Sequence, residues 1–198
     1  MNKYFDIQPA ELANRLSSSQ NLIPPWPAPD SGGLRKAAVL IPFQRIDNQW
    51  HILFTRRTDQ VQDHKGQVSF PGGAKDLGDK NEIENALRET YEEIGVHPEE
   101  VTVLGRLGEI PTLSNYLISP IVAIIPYPYS FMPSTDEVSR IFTIPLEWLA
   151  DPSNHIEKQR TLSAGNSSKV LYFNEYDGEL LWGITAYITE TLIQQIFG

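Results

Sequence analysis

Four glutamates, Glu82, Glu89, Glu92 and Glu93, fall on one stripe of the helix predicted for NEIENALRETYEEIGV, residues 81–96. Carboxylates placed this way repel. Glu89 and Glu93, four residues apart, cost a few tenths of a kcal/mol, and Glu89–Glu92 at i,i+3 adds to it. Arg88 is the only nearby compensation, and Glu84 competes for it. Lysines at these positions would serve stability better. A hard divalent cation such as Mg²⁺ or Mn²⁺, which takes oxygen ligands, would relieve the repulsion. The plain alternative is a solvated acidic face. The segment just upstream favours the metal: Pro71 is followed by Gly72 and Gly73, and a double glycine lets backbone approach a ligand closely and offer it carbonyl oxygens.

Positioning these groups requires a well-ended helix on a rigid support. Asn81 is the predicted cap, Glu84 completes a capping box, and Gly95 ends the helix. Ile83, Ala86, Leu87, Thr90 and Ile94 form an apolar face, about 120° from the acidic stripe, that should pack on a sheet. Strands are predicted at 37–43 and 50–56, as a hairpin around Asp47-Asn48, and at 67–70, 101–107, 118–126 and 138–144. A last hairpin pairs 169–174 with 179–183. Short helices are predicted at 8–17 and 145–151, and an amphipathic closing helix at 184–197. Strands outnumber helices and one helix lies mid-chain between strands, so the fold class is α/β, a mixed β-sheet packed between helices. Pro24, Pro25, Pro27 and Pro29 make the stretch before the first strand an extended tether, with Trp26 and Trp50 as core or tether residues. The division is residues 1–36, a helix and Pro-rich tether, and residues 37–198, the working domain.

The chain has 198 residues, enough for one domain with a sizeable core, and a formal net charge of −9. It has no Lys/Arg-rich run, so nucleic acid is not the expected partner. An acidic enzyme acting on an anionic substrate needs positive charge from elsewhere, and a carboxylate-held cation supplies it. There is no cysteine, which excludes disulfides and thiolate zinc sites. No apolar run approaches the ~18 residues of a membrane span, and the first residues lack a signal-peptide core. The expectation is a cytoplasmic protein without a membrane partner.

Read together, these segments resemble the Nudix hydrolase superfamily. Its pattern is Gly, five residues, Glu, seven residues, Arg-Glu, an apolar residue, any residue, Glu-Glu, any residue, Gly, apolar. Arg88, Glu89, Glu92, Glu93, Gly95 and Val96 match the second half, with Thr90 in the apolar place. The interval between Gly73 and Arg88 is 14 residues, one more than the general pattern. Counting back from Arg88, Lys80 takes the place of the first Glu. Counting forward from Gly73, Asp79 does, and either Asp79, Glu82 or no acid fills the role. The longer interval, the run RRTDQVQDHKGQVSFPGG (56–73) and the segments at 136–149 and 181–188 resemble the coenzyme A pyrophosphatase branch.

The resemblance implies a Nudix-like α/β/α sandwich that hydrolyses a phosphoanhydride with Mg²⁺ or Mn²⁺. Glu89 and Glu93 would be the leading metal ligands, Glu92 a third or one acting through water, and the carbonyl of Gly72 or Gly73 a further donor. Arg88 would orient a carboxylate. Glu137 would be the base or a further ligand, with Asp136, Glu109 and Glu89 as rivals. Arg56, Arg57, His64 and Lys65 would contact substrate phosphates, for instance the 3′-phosphate of coenzyme A. Trp182, Gly183 and Thr185 match the branch and are read as packing. The expected partner is a small-molecule, coenzyme A-like nucleotide, and a homodimer is left open as an assembly. Two alternatives stay in view: a Nudix enzyme for ADP-ribose or another nucleoside-diphosphate derivative, and a Nudix-like binding module without turnover.

Overall fold

The computed structural model describes residues 7–16, 24, 26, 33–59, 65–161 and 167–198. The first helix, α1 (Pro9–Leu16), starts with proline in its first turn, where the missing N–H costs nothing. It buries Leu12 and Leu16. The apolar run that follows forms β1 (Arg35–Ile46), which turns directly into β2 (Gln49–Arg57). Asp47 and Asn48 take φ of 47° and 69°, the left-handed pair that a two-residue hairpin turn demands. Next come β3 (Val68–Ser69) and β4 (Gly72–Ala74), then the helix α2 (Glu82–Ile94). The chain continues through β5 (Thr102–Arg106), β6 (Ile110–Pro111), β7 (Tyr116–Ile124) and β8 (Val138–Pro145). It closes with α3 (Leu146–Ala150), β9 (His155–Thr161), β10 (Ser167–Phe173) and α4 (Gly183–Phe197).

Eight strands form one mixed sheet, ordered β3-β2-β1-β7-β5, with β8 joined to β2, β4 to β1 and β6 to β7. β1 is the hub. It runs parallel to β7 and antiparallel to β2 and β4. Strand alternation divides the core in two. Ala38 and Leu40 of β1, Leu53 of β2, and Ile121 and Ala123 of β7 face α2, packing with Ala86 and Ile94. Ile41, Phe43, Ile52, Phe54 and Val122 face the other way, onto α1, α3 and α4. The result is the α/β/α sandwich, with α2 alone on one face of the sheet. The N-terminal helix belongs to the opposite layer: the Trp50 indole donates to Ile7 O at 2.8 Å, and Gln195 donates to Arg15 O at 2.8 Å.

Three local expectations are corrected. Ile83, assigned to the packing face of α2, is 39% exposed, while Asn85 and Glu93 are 1% and 4% exposed. The helix is rolled so that part of its acidic stripe is turned under β4. No strand is predicted at 72–74, yet Gly72 and Gly73 lie in one, with Ala38 opposite Gly73. The partner of β10 is β9, a strand of polar residues that shows no apolar alternation. Residues 179–183 make only single bridges, Tyr176 to Glu179 and Tyr172 to Trp182. Among the described residues no helix is long and apolar enough to cross a membrane.

Candidate active site

α2 starts where the Asn81 side chain accepts from the Glu84 N–H at 2.9 Å, and stops at Gly95, φ 72°. Glu84 reaches back to the Lys80 N–H at 3.0 Å, one residue before the cap. This fixed helix lies against β4, and the absence of a side chain at Gly73 permits the contact. A Cβ there would sit 2.5 Å from Oε2 of Glu89 and 2.6 Å from its Cδ. The Glu89 carboxylate therefore rests directly on the Gly73 backbone.

Arg88 organises the surrounding acids. It meets Asp79 side-on, Nε to Oδ1 and Nη2 to Oδ2, both at 3.0 Å. Its Nη2 lies 2.9 Å from Glu89 Oε1 and donates to Ala74 O at 3.2 Å, and its Nη1 lies 2.9 Å from Glu92 Oε2. Asp79 is buried. The Arg88 guanidinium, together with the Asp76 N–H, holds its carboxyl below the usual range. Asn85 also donates to Ala74 O, at 3.2 Å.

Glu93 is the most strained acid electrostatically. Burial pushes its pKa up to about 8. Arg57, 3.8 Å away, works against that shift, while Glu137 and Glu89 reinforce it. Its Oε2 is buried with no hydrogen-bond partner. Glu89 is raised too, by burial first and then, against the pull of Arg88, by Glu92 and Glu137. Glu137 is exposed, on a loop that Thr58 ties down: Thr58 N–H donates to Glu137 O at 2.9 Å and Thr58 Oγ1 to Asp136 O at 2.7 Å. Ser134 of the same loop donates its N–H to the Glu93 carbonyl at 2.8 Å. Glu89, Glu93 and Glu137 thus share one neighbourhood although Glu137 is far away in sequence.

The donor set suits a hard cation: three mutually repelling carboxylates, one with an orphaned buried oxygen, beside a glycine backbone. It does not form a closed cage. Among the described residues no group of three acidic or histidine side chains stands at metal-holding distances. The reason is Arg88, which draws the Glu89 and Glu92 carboxylates to itself. Glu92, with a side chain 55% exposed, is the most peripheral of the three helix acids.

The basic residues divide. Arg57 joins the carboxylates. Arg56, on the other face of β2, lies 3.6 Å from buried Glu179, which also receives Arg140 at 3.0 Å. Lys65 is exposed, and His64 lies outside the described residues. Glu109 accepts from Ser119 at 3.2 Å, and Asp136 is exposed. Trp182 stacks on Tyr172 with ring centroids 5.7 Å apart, and Thr185 donates to Val68 O at 3.1 Å, so both pack the C-terminal segment against its neighbours.

The NUDIX domain model matches residues 34–164. This chain belongs to the Nudix hydrolase family. A protein called "Uncharacterized Nudix hydrolase NudL" from Photorhabdus laumondii is 37% identical over 186 residues, covering 93% of this chain and 97% of its own. Its namesake from Yersinia enterocolitica is 34% identical, covering 99% of both chains. In fold, a Nudix hydrolase from Alicyclobacillus acidocaldarius superposes with a TM-score of 0.51 at 17% identity, covering 83% of this chain and 93% of that one. The Nudix framework makes Asp79 intelligible. It stands at the acidic place counted from Gly73, and the extra residue of the interval falls between it and Arg88 without preventing their contact. Sequence reasoning left that place open, because spacing alone could not show which acid would reach Arg88. As a Nudix pyrophosphohydrolase, the protein cuts phosphoanhydride bonds.

Proposed function

We propose that this Nudix hydrolase cleaves the pyrophosphate of coenzyme A or an acyl-coenzyme A, giving adenosine 3′,5′-bisphosphate and a phosphopantetheine. The observation that carries the reading is where the two described ends of the run 56–73 lie. This run resembles the coenzyme A branch, and its two ends frame the acid cluster, with Arg57 at Glu93 and Gly73 under Glu89.

Glu89 and Glu93, joined by Glu92 and the Gly73 carbonyl, would hold Mg²⁺ or Mn²⁺. When bound, the cation supplies positive charge that offsets the anionic phosphate oxygens and acidifies water. Arg88, anchored by Asp79, fixes the Glu89 carboxylate. Arg57 presents a guanidinium to the phosphates, with His64 and Lys65 as further contacts. Glu137, on its pinned loop, accepts the proton as a water oxygen bonds to phosphorus and the bridging P–O bond breaks. The work is that of a cytoplasmic enzyme on a small nucleotide. A panel of coenzyme A, 3′-dephospho-coenzyme A, ADP-ribose and nucleoside triphosphates, with products weighed by mass spectrometry, tests the reading. Coenzyme A should be fastest, EDTA should abolish turnover and Mg²⁺ or Mn²⁺ should restore it. Preference for ADP-ribose, or full activity in metal-free buffer, would overturn it.

A further inference from the structure

The sheet face on which the Glu89 carboxylate rests continues beyond it into a pair of lysines. Gly73 stands opposite Ala38, and one step along the ladder Ala74 stands opposite Ala37. The next residue, Lys75, donates its N–H to Lys36 O at 2.9 Å, so the pairing extends to Lys36 and Lys75. Residues two apart on a strand share a face, and directly opposed residues of antiparallel neighbours do so too. Lys36 and Lys75 therefore lie side by side on the α2 face, about 7 Å along the strand from the glycine that supports the Glu89 carboxylate. Arg35, one residue earlier, borders the hollow at the strand end but alternates to the other face, its guanidinium 5.0 Å over the Tyr116 ring. These residues line an open hollow of about 410 Å³ with Asp76, Leu77 and Asp79.

Three features set this group apart from ordinary surface charge. The protein carries a net charge of −9, yet among the described residues none of the three cations forms an ion pair. The two acids of the hollow are paired with Arg88, Asp79 at 3.0 Å and Asp76 at 3.9 Å, and Lys75 is near enough to Asp79 to help lower its pKa without forming an ion pair with it. The opening adjoins the acid cluster, within reach of one nucleotide-sized molecule spanning both. Leu77, wholly exposed at the loop tip, gives the hollow an apolar lip.

We propose that Lys36 and Lys75 form a second phosphate subsite, which takes a phosphomonoester that the substrate carries outside the anhydride being cut. This rests on the reading of the enzyme as a nucleotide pyrophosphohydrolase and names the part of the site that selects among such substrates. A phosphomonoester carries a charge of about −1.5 to −2 at neutral pH and three acceptor oxygens. Two ammonium groups, each with three rotatable donors, match it as point charges without requiring a fixed orientation. On coenzyme A the group is the ribose 3′-phosphate. Residues 35 and 36 fall on the tether side of the boundary drawn from the sequence, so the sequence reading passed over them.

The test measures binding and turnover separately. Wild-type protein and Lys36→Gln/Lys75→Gln are titrated with adenosine 3′,5′-bisphosphate and with 5′-AMP, by calorimetry and by backbone amide shifts. Wild type should bind the bisphosphate roughly ten- to a hundredfold more tightly, the range for one charge-assisted contact. The shifts should centre on residues 35–37 and 74–77. The double variant should lose most of that preference, and Lys36→Arg/Lys75→Arg should restore it. The ratio of kcat/KM for coenzyme A to that for 3′-dephospho-coenzyme A should fall by a similar factor in the Gln variant. Equal binding of both ligands by wild type, or a preference unaltered in the Gln variant, overturns the subsite. If coenzyme A is not cleaved while the lysine-dependent binding preference persists, the subsite stands and only the substrate reading falls.

Discussion

Asp79 and Arg88 are nine residues apart and meet through two parallel contacts of 3.0 Å, with the Asp79 carboxylate buried. The pair fixes the guanidinium that in turn holds Glu89. Removing the acid leaves a half-buried arginine without its anchor and frees Glu89.

Asp79→Ala should cost about 1.5–3 kcal/mol in urea unfolding at neutral pH, the range for hydrogen bonds to a charged group. kcat should fall more than KM changes. The pH dependence has a definite sign. The folded pKa of Asp79 is lowered, so its charge stabilises the fold above the ordinary value of 3.8, and this is lost as pH falls through the lowered value. The stability gap between wild type and Asp79→Asn should therefore close in strong acid. A gap that is constant with pH would show that the pair does not depend on charge.

Glu93 should give the opposite slope. Its folded pKa is raised from 4.5 to about 8, so across that window the native state keeps a proton that the unfolded chain has released. The metal-free protein should lose stability as pH rises from 4.5 to 8. Glu89, raised as well, adds to the same slope. Glu93→Gln should flatten most of it, raise the apo melting temperature at alkaline pH and cut kcat by orders of magnitude. Thermal melts in EDTA across the window check this, and added Mg²⁺ should offset the alkaline loss by binding the native state.

How far this site could be read from the sequence depended on which physical signal each part carries. The caps of α2, the Asp47-Asn48 turn and the long apolar strands rest on local chemistry, and all are where spacing placed them. The roll of α2 about its axis is not local. Periodicity separated an apolar from an acidic stripe but could not show that β4 would cover Asn85 and Glu93 and leave Ile83 out. β4 itself, three residues with two glycines, has no strand-like composition and exists because β1 offers it a partner. Strand β9 is polar because it lies in a two-stranded ribbon and buries little. Arg56 and Arg57 are neighbours in sequence, but strand alternation sends them to opposite faces of the sheet.

The two adjacent glycines should respond differently to the same substitution. Gly72 has φ 152°, and a Cβ would lie 2.4 Å from the Ala38 carbonyl oxygen and 2.6 Å from Val39 Cα, both rigid backbone. Gly72→Ala should destabilise by about 3 kcal/mol through backbone strain and the forced separation of β4 from β1. At Gly73 the obstacle is the end of the Glu89 side chain, which can swing away. Gly73→Ala should cost under about 1 kcal/mol of stability yet lower kcat by about tenfold or more if the displaced Glu89 is a metal ligand, as proposed. Denaturant midpoints and kcat for the two variants distinguish the cases. Equal stability losses would show that Glu89 is not free to move.

Glu137 joins the acids of the helix to the loop that Thr58 pins. It is exposed, so removing its charge should leave the fold intact. It faces Glu89 and Glu93 closely enough to raise both. Glu137→Gln should therefore lower the pKa of Glu93 in the metal-free protein, moving the alkaline loss of stability to lower pH. That shift reports proximity alone. If Glu137 is also the proton acceptor, kcat should fall by roughly 10²–10⁴, and the rise of kcat/KM with pH on the acid side should flatten, because no carboxylate remains to ionise in that role. A variant with shifted apo stability but wild-type kcat and pH profile would leave Glu137 as a neighbour of the site, and the base would then be Glu89, a carboxylate that burial holds above its ordinary range.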